Sequence, residues 1–359
     1  MLQITRTGVF MRISLRLLAP ALLGVAAFLP AAHAQDMTTA TVAGTTIWVG
    51  GGVQFLSLPD IRFTEKGDHR QKNSESDWLD AGGAAGGGIE TGLGFWGNYR
   101  VTAGVKGFWS NIETDNHKKC SGGSNFCTVF DPASGQAFTG SALSTKTDRD
   151  VDYWGGQAEL KFGHADPIYE KPYLYRNDYF IIGADVRGID QDNTLRSSVG
   201  TTFAYKESLD TTYTGGYIGV GGEYSFGFIP IIGSAVKGVG GLYDRLGLRT
   251  FINLRAGLYN ADTDYDGRFA AGSFASNLSN STDDLAFIGT VSLETRKQIG
   301  PRTSLSLWTD YEYISSVPKM HYADDNRPTR IDDEGIFASR TMLRLNIGLG
   351  SQQLYTVSR

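Results

Sequence analysis

Beyond its first thirty-odd residues the chain has no apolar run near the ~18 residues that a membrane-spanning helix needs. Its mean hydropathy is −0.21, and helical spans are excluded. Basic tracts are missing and the net charge is only −5, so nothing marks a nucleic-acid partner. There is no Walker sequence, no CxxCH, and no GxGxxG between a strand and a helix. The glycines of GLGFWGNYR join two strands, so they make a hairpin and not a phosphate cradle. No cofactor and no metal site are expected. Cysteine is nearly absent: Cys120 and Cys127, in KKCSGGSNFC, are the two present. Two thiols alone are a poor zinc site, whereas a close pair in an exported chain reads as a disulfide pinning a loop.

Export itself is legible at the start. Arg6, Arg12 and Arg16 form a basic opening without acids, and LLAPALLGVAAFLPAA follows, interrupted by Pro20 and Pro30. Ala32-His33-Ala34 before Gln35 is the small-x-small pattern that signal peptidase reads. Residues 1–34 are expected to be a cleaved signal peptide. Residues 35–359, about 325 in number, then make one domain.

Glycine is plentiful at 46 residues, and aromatic residues make up 12 % of the chain. Many glycines fall inside alternating segments: Gly86, Gly87, Gly88, Gly92, Gly219, Gly221 and Gly222. Strands usually avoid glycine, unless a sheet curves tightly or backbones approach closely. Polar and apolar residues alternate through ten stretches: 45–58, 82–95, 99–113, 151–163, 178–189, 212–226, 249–262, 285–297, 303–316 and 339–355. Such alternation is the mark of a strand, and each stretch reaches the ~9–11 residues of a tilted membrane strand. A further hairpin around GTTFAYKES, 200–208, would raise the count to twelve.

The connections alternate in length. Trp96-Gly97-Asn98 and Ile299-Gly300-Pro301 read as tight turns. Long polar segments, 59–80, 114–149, 190–210, 263–283 and 317–336, lie on the other side. The stretch 227–247 departs from this rule, being neither short nor polar; it reads as an amphipathic helix at the rim or a longer strand end and loop. With these features the chain resembles the Gram-negative outer-membrane β-barrel proteins as a broad class. The resemblance implies an all-β, antiparallel, up-and-down transmembrane barrel of about ten strands. It also implies short periplasmic turns, long extracellular loops and both termini in the periplasm. It implies contact with outer-membrane lipid and lipopolysaccharide, and with the assembly machinery, which reads an aromatic-ended last strand. Here the chain ends LYTVSR, and Tyr355 is the nearest aromatic. No pattern speaks to oligomeric state.

The strand parity then assigns faces. Aliphatic residues line one face, with Trp48, Phe95, Trp96, Trp109, Trp154, Tyr224, Tyr311 and Tyr313 near strand ends, where a membrane interface favours aromatics. The other face carries mixed charge and is expected to line a lumen. Its bases are Arg100, Lys106, Lys161, Arg187, Arg249, Arg255, Arg296, Arg340 and Arg344; its acids are Glu90, Glu159, Asp185, Glu223, Glu294, Asp310 and Glu312. A barrel this narrow forces opposite charges to pair, giving either a salt-bridged plug or a constricted wet passage.

Three functions are compatible with this pattern. The leading one is a narrow porin-like channel for small hydrophilic solutes, with a slight preference for anions. The second is a sealed barrel that binds or displays through its loops. The third is a rim hydrolase built on His321 with Asp324 and Asp325, on Asp262, Asp264 and Asp266, or on His117. No nucleophile motif accompanies those residues, so no catalytic residue is expected.

Overall fold

The computed structural model describes residues 44–66, 69–71, 73, 80–121, 127–140, 142–164, 168–171, 174–199, 202–224, 248–324 and 328–349. The expected signal peptide, the 227–247 stretch, Asp325 and Tyr355 lie outside the described residues.

Ten long strands form the molecule: β1 (Thr45–Leu56), β2 (Asp80–Trp96), β3 (Tyr99–Ser121), β4 (Ala142–His164), β5 (Leu174–Val199), β6 (Phe203–Tyr224), β7 (Leu248–Ala271), β8 (Phe274–Gly300), β9 (Thr303–His321) and β10 (Arg330–Leu349). Each pairs antiparallel with its neighbours in sequence. Pairing of β1 with β10, from Thr45↔Leu349 to Leu56↔Ala338, closes the ring. Closure leaves no barrel edge unpaired, as a sheet in a lipid environment requires. Among the described residues, a short strand, Ile168–Lys171, pairs only with the start of β5.

The stretch TSLSLWTDYEYISS shows how sequence becomes surface. Leu305, Leu307, Tyr311 and Tyr313 are exposed on the outside, while Ser304, Ser306, Asp310 and Glu312 are buried inside. The same inversion runs round the ring. Ile47, Val49, Val53, Ile218, Val220, Leu254, Leu258, Leu343, Leu345 and Ile347 all face outward and exposed. From Leu305 to Tyr313 this belt covers about 26 Å of strand at ~3.3 Å per residue, or roughly 19–22 Å of height once strands tilt. That height suits a bilayer core crossed by strands.

The strands overshoot the belt. They run from 12 residues in β1 to 27 in β8. The long polar connections are therefore largely ladder. β5 and β6 pair without a shift from Arg176↔Tyr224 to Arg196↔Ala204, and β7 meets β8 across the two-residue turn Gly272-Ser273. The stretch around 200–208 adds no hairpin: Phe203 onward is the start of β6, and the barrel count is ten. The last strand ends at Leu349 within the described residues.

At the opposite end the turns are tight. Gly97, between β2 and β3, has φ 59°, a left-handed conformation that favours glycine. Pro301 and Arg302 alone separate β8 from β9.

Three buried layers occupy the bore. A charged layer lies at belt level. Above it sits an apolar layer built on Leu56, Leu58, Ile112, Val151, Ile189, Tyr213, Ile288, Ile314 and Ile336. Above that, in a crown formed by the strand extensions, Phe63 packs on Phe203, Tyr205, Phe269 and Tyr322 with ring centroids 5.5, 4.7, 6.3 and 5.3 Å away. Phe63 arrives there because the chain after β1 turns inward, burying Leu58, Ile61 and Phe63. Asn73 pins this inserted segment, its Oδ1 accepting from the Phe63 and Thr64 amides at 2.8 and 2.9 Å. A small four-stranded sheet of His69–Gln71, Thr64–Lys66, Cys127–Phe130 and Ala137–Gly140 completes the crown. Cys120 and Cys127 form the expected disulfide, tying β3 to that sheet.

Candidate functional site in the barrel interior

The charged layer is built by strand parity. Asp185 and Arg187 lie two residues apart on β5, Asp310 and Glu312 on β9, and Arg340 and Arg344 four apart on β10. Each set shares one face of its strand and points inward. Arg187 donates through Nε to Asp185 at 2.6 Å and pairs through Nη1 with Glu312 at 2.8 Å. Tyr153 donates to Glu312 at 2.7 Å, and Tyr259 and Gln157 donate to Asp185 at 3.2 and 3.0 Å. Arg340 pairs with Asp310 at 3.1 Å.

Nearer the tight-turn end, Glu159 is the hub. Lys106, Lys161 and Arg255 each stand 3.3 Å from its oxygens, and Tyr217 donates to it at 3.1 Å. Lys161 also bonds Glu90. Tyr217 reaches Glu159 by lying over Gly183, where a Cβ would meet its hydroxyl at 2.5 Å. Closer to the rim, Arg296 pairs with Glu294 at 2.9 Å, while Arg249 and Glu223 stand 4.0 Å apart and Arg100 is half-buried. The interior is thus stitched by ion pairs that span several strands.

The sequence reading set Trp48 on the wrong face and left Trp308 out, while parity alone puts Phe108 on the face of Arg100, Thr102 and Lys106. Trp48 was expected on the lipid face; it points inward, because Ile47 and Val49 take the outward positions on β1. Trp308 and Phe108 share the inward parity of the charged residues and belong with them. Five flat groups stack in order: Trp48, Arg344, Trp308, Arg340 and Phe108. The Arg344 guanidinium carbon is 3.9 Å from the Trp48 ring and 3.4 Å from the Trp308 ring; that of Arg340 is 5.2 Å from Trp308 and 3.4 Å from Phe108. Cations held between ring faces gain cation–π attraction, which desolvation strengthens. The parity of Trp308 with Ser306 and Asp310 was the signal that would have found it.

The rim candidates do not converge. His321 is 3.8 Å from Asp324, but Asp262, Asp264 and Asp266 lie on the outward face of β7, and His117 sits opposite Lys146 on β3. Just above the belt, Asp152, Asp190, Asp210 and Asp264 stand in register across β4 to β7. Trp154 donates to Asp190 at 3.1 Å.

No known family profile matches the chain, and no curated protein matches it. Among solved structures it is similar to the outer membrane protease OmpT from Escherichia coli, at 10 % identity over 88 % of this chain and 99 % of that one, TM-score 0.41. A Pseudomonas aeruginosa FadL homologue matches at 6 % identity over 85 % and 90 %, TM-score 0.26. The Ralstonia pickettii toluene transporter TbuX matches at 9 % identity over 86 % and 90 %, TM-score 0.22. Proteolysis and toluene transport are properties of those proteins. What the present fold itself defines is a class: a closed ring of antiparallel strands, apolar without and charged within, which is the outer-membrane type of transmembrane β-barrel. The protein is a ten-stranded member of that class.

Proposed function

We propose that this protein is an occluded outer-membrane barrel, a rigid stalk that presents its extracellular crown, and that the bore does not serve as a passive channel in this state. The observation that carries this reading is the filling of the bore. Ion-paired, apolar and aromatic layers succeed one another with Arg187, Ile112, Ile189, Leu56 and Tyr205 all at most 2 % exposed. A solute crossing it would have to displace the apolar layer and break buried ion pairs, each break costing about 3–5 kcal/mol. The belt would seat in lipid, with lipopolysaccharide around the crown. A crown built from paired strands and locked by a disulfide is better suited to present a fixed surface than a mobile loop is.

The channel reading keeps one support, the mixed charge of the interior wall. Planar-bilayer recording separates the two. The purified barrel is expected to insert without discrete conductance, and replacing Leu56, Leu58 and Ile112 together by serine is expected to produce steps. Regular single-channel steps from the unaltered protein would overturn the occluded reading.

A further inference from the structure

The crown is not closed as the barrel is. β8 and β9 pair from Gly300↔Thr303 to Ile288↔Ile314 and no further, whereas β7 stays beside β8 as far as Ala271↔Phe274. At Ser315 and Ser316 the chain leaves the wall. The register with β10 shifts there. Tyr213 and Gln191, inward-pointing on β6 and β5, donate to the carbonyls of Ser316 and Pro318 at 2.9 and 3.5 Å. The upper end of β9 thus leans across the bore, burying Val317 and Tyr322. The upper half of β8 loses its neighbour on that side.

Ladder geometry says which backbone groups are left. In a two-residue hairpin the flanking pair, here Ala271 and Phe274, is hydrogen-bonded, and bonded pairs recur at every second residue. Even-numbered residues of β8 therefore bond β7, and odd-numbered ones turn N–H and C=O to the other side. The Phe287 amide agrees: it donates to Ser315 Oγ at 2.8 Å. From Ala275 to Leu285 the edge is open over about 33 Å at ~3.3 Å per residue. Among the described residues the one bond made there runs from the Ser281 amide to the side chain of its neighbour Asn280, at 2.9 Å. Such a row of unpaired backbone groups is a template for another strand.

The charge beside the edge selects what can be added. Asp283 and Asp284 are exposed on β8, and they point to opposite faces of the strand. Asp262 of β7 stands opposite Asp283, and Asp333 of β10 is close enough to hydrogen-bond Asp284. Among the described residues none of these four carboxylates makes an ion pair; Lys319, on β9, pairs instead with Glu334 at 2.8 Å. A second copy of the chain would bring its own Asp283 and Asp284 against them, and like charges across a strand pair repel. We propose that the crown edge of β8 takes up an extended, basic peptide segment of another molecule as an added strand, with its backbone bonded to the odd-numbered residues from Ala275 to Leu285 and its Lys or Arg side chains set against Asp283, Asp284 and Asp333. This deepens the reading of the crown as a presented surface and rests on it, by naming the partner that the surface takes.

Hydrogen exchange of the detergent-solubilised barrel tests this with an alternating Lys–Thr peptide and its Glu–Thr counterpart. The Lys–Thr peptide is expected to protect the fragment spanning Ala275 to Leu285, and the Glu–Thr peptide to leave it unchanged. No protection by the basic peptide, or equal protection by the acidic one, would overturn the proposal. Asp283→Asn with Asp284→Asn should weaken binding of the labelled Lys–Thr peptide roughly 2–30-fold, as two cross-strand charge pairs imply. Ser279→Pro removes an amide that faces the open side and no bond to β7, so the hairpin should persist while strand addition fails. Undiminished binding to a folded Ser279→Pro barrel would place the peptide elsewhere and refute the edge. Should that variant not fold, the paired asparagine variant and the protection map decide. Bilayer conductance is read separately, so a failed edge leaves the sealed bore standing, and a conducting bore leaves the edge open to the same test.

Discussion

Arg187 is the residue on which the interior most depends. It touches Asp185 and Glu312 on different strands and is 2 % exposed. Removing it leaves Asp185 buried without its cation and Glu312 with Arg340 at 3.9 Å. Arg187→Met is therefore expected to cost about 3–5 kcal/mol, measured as a lowered urea midpoint of the folded barrel in micelles; a loss below about 1 kcal/mol would show that water already reaches those carboxylates. Glu207 sets a different test, in the crown and outside the belt. Tyr205 and Asn193 donate to it at 2.9 and 3.0 Å, and Tyr322 donates as well. Burial pushes its carboxyl group above the usual range, against the pull of those hydrogen bonds and of Arg149. A carboxyl whose folded pKa is raised keeps its proton while the unfolded chain has lost it. Crown stability from this group is then greatest below about pH 4.3 and falls as pH rises to the folded value. Glu207→Gln should remove that fall, seen as a flatter pH profile of resistance to proteolysis at the crown. An unchanged profile would refute the assignment.

Among elements, the extensions of β3 to β8 explain how much was legible and how much was not. Inside the belt, lipid on one side and charge on the other impose strict alternation, so all ten strand cores were readable from stretches such as 285–297 and 303–316. Above the belt both faces of a strand can be polar or crown-packed. Phe203, Tyr205 and Phe269 then alternate with Ala204, Lys206 and Arg268, a pattern that looks like loop because no lipid enforces its outer face. Trp48 was misread because an aromatic at a strand end was weighed above its parity. The inserted segment carrying Phe63 had no periodic signal, since its burial depends on contacts far away in sequence. Phe63→Ala should cost about 3–5 kcal/mol of crown stability while leaving the belt intact. Limited proteolysis would release crown fragments from a barrel that still migrates as folded. Breaking the disulfide with Cys120→Ser and Cys127→Ser should act in the same direction by about 2–4 kcal/mol. The row Asp152, Asp190, Asp210 and Asp264 places like charges on neighbouring strands, so Asp210→Asn is expected to stabilise by about 0.2–1 kcal/mol. A lowered unfolding midpoint for that variant would contradict the repulsion.

At the scale of the whole molecule, the chain is an inside-out protein with a filled centre. The outward leucines and valines need hydrocarbon, while the inward arginines and glutamates need one another. Its outer half continues as a soluble-style core of aromatics, Phe63, Phe203, Tyr205 and Phe269, raised clear of the membrane. These two kinds of core share the same strands, which is why the strands are so long. Nitroxide scanning of β9 in bilayers tests this directly, with single cysteines at Leu305, Ser306, Leu307 and Thr309. High oxygen collision rates are expected at Leu305, Leu307 and Thr309, and protection from both oxygen and a water-soluble nickel complex at Ser306. Ready access of the nickel complex to Ser306 would mean a water-filled bore, and its access to Leu305 and Leu307 would mean that no membrane covers them.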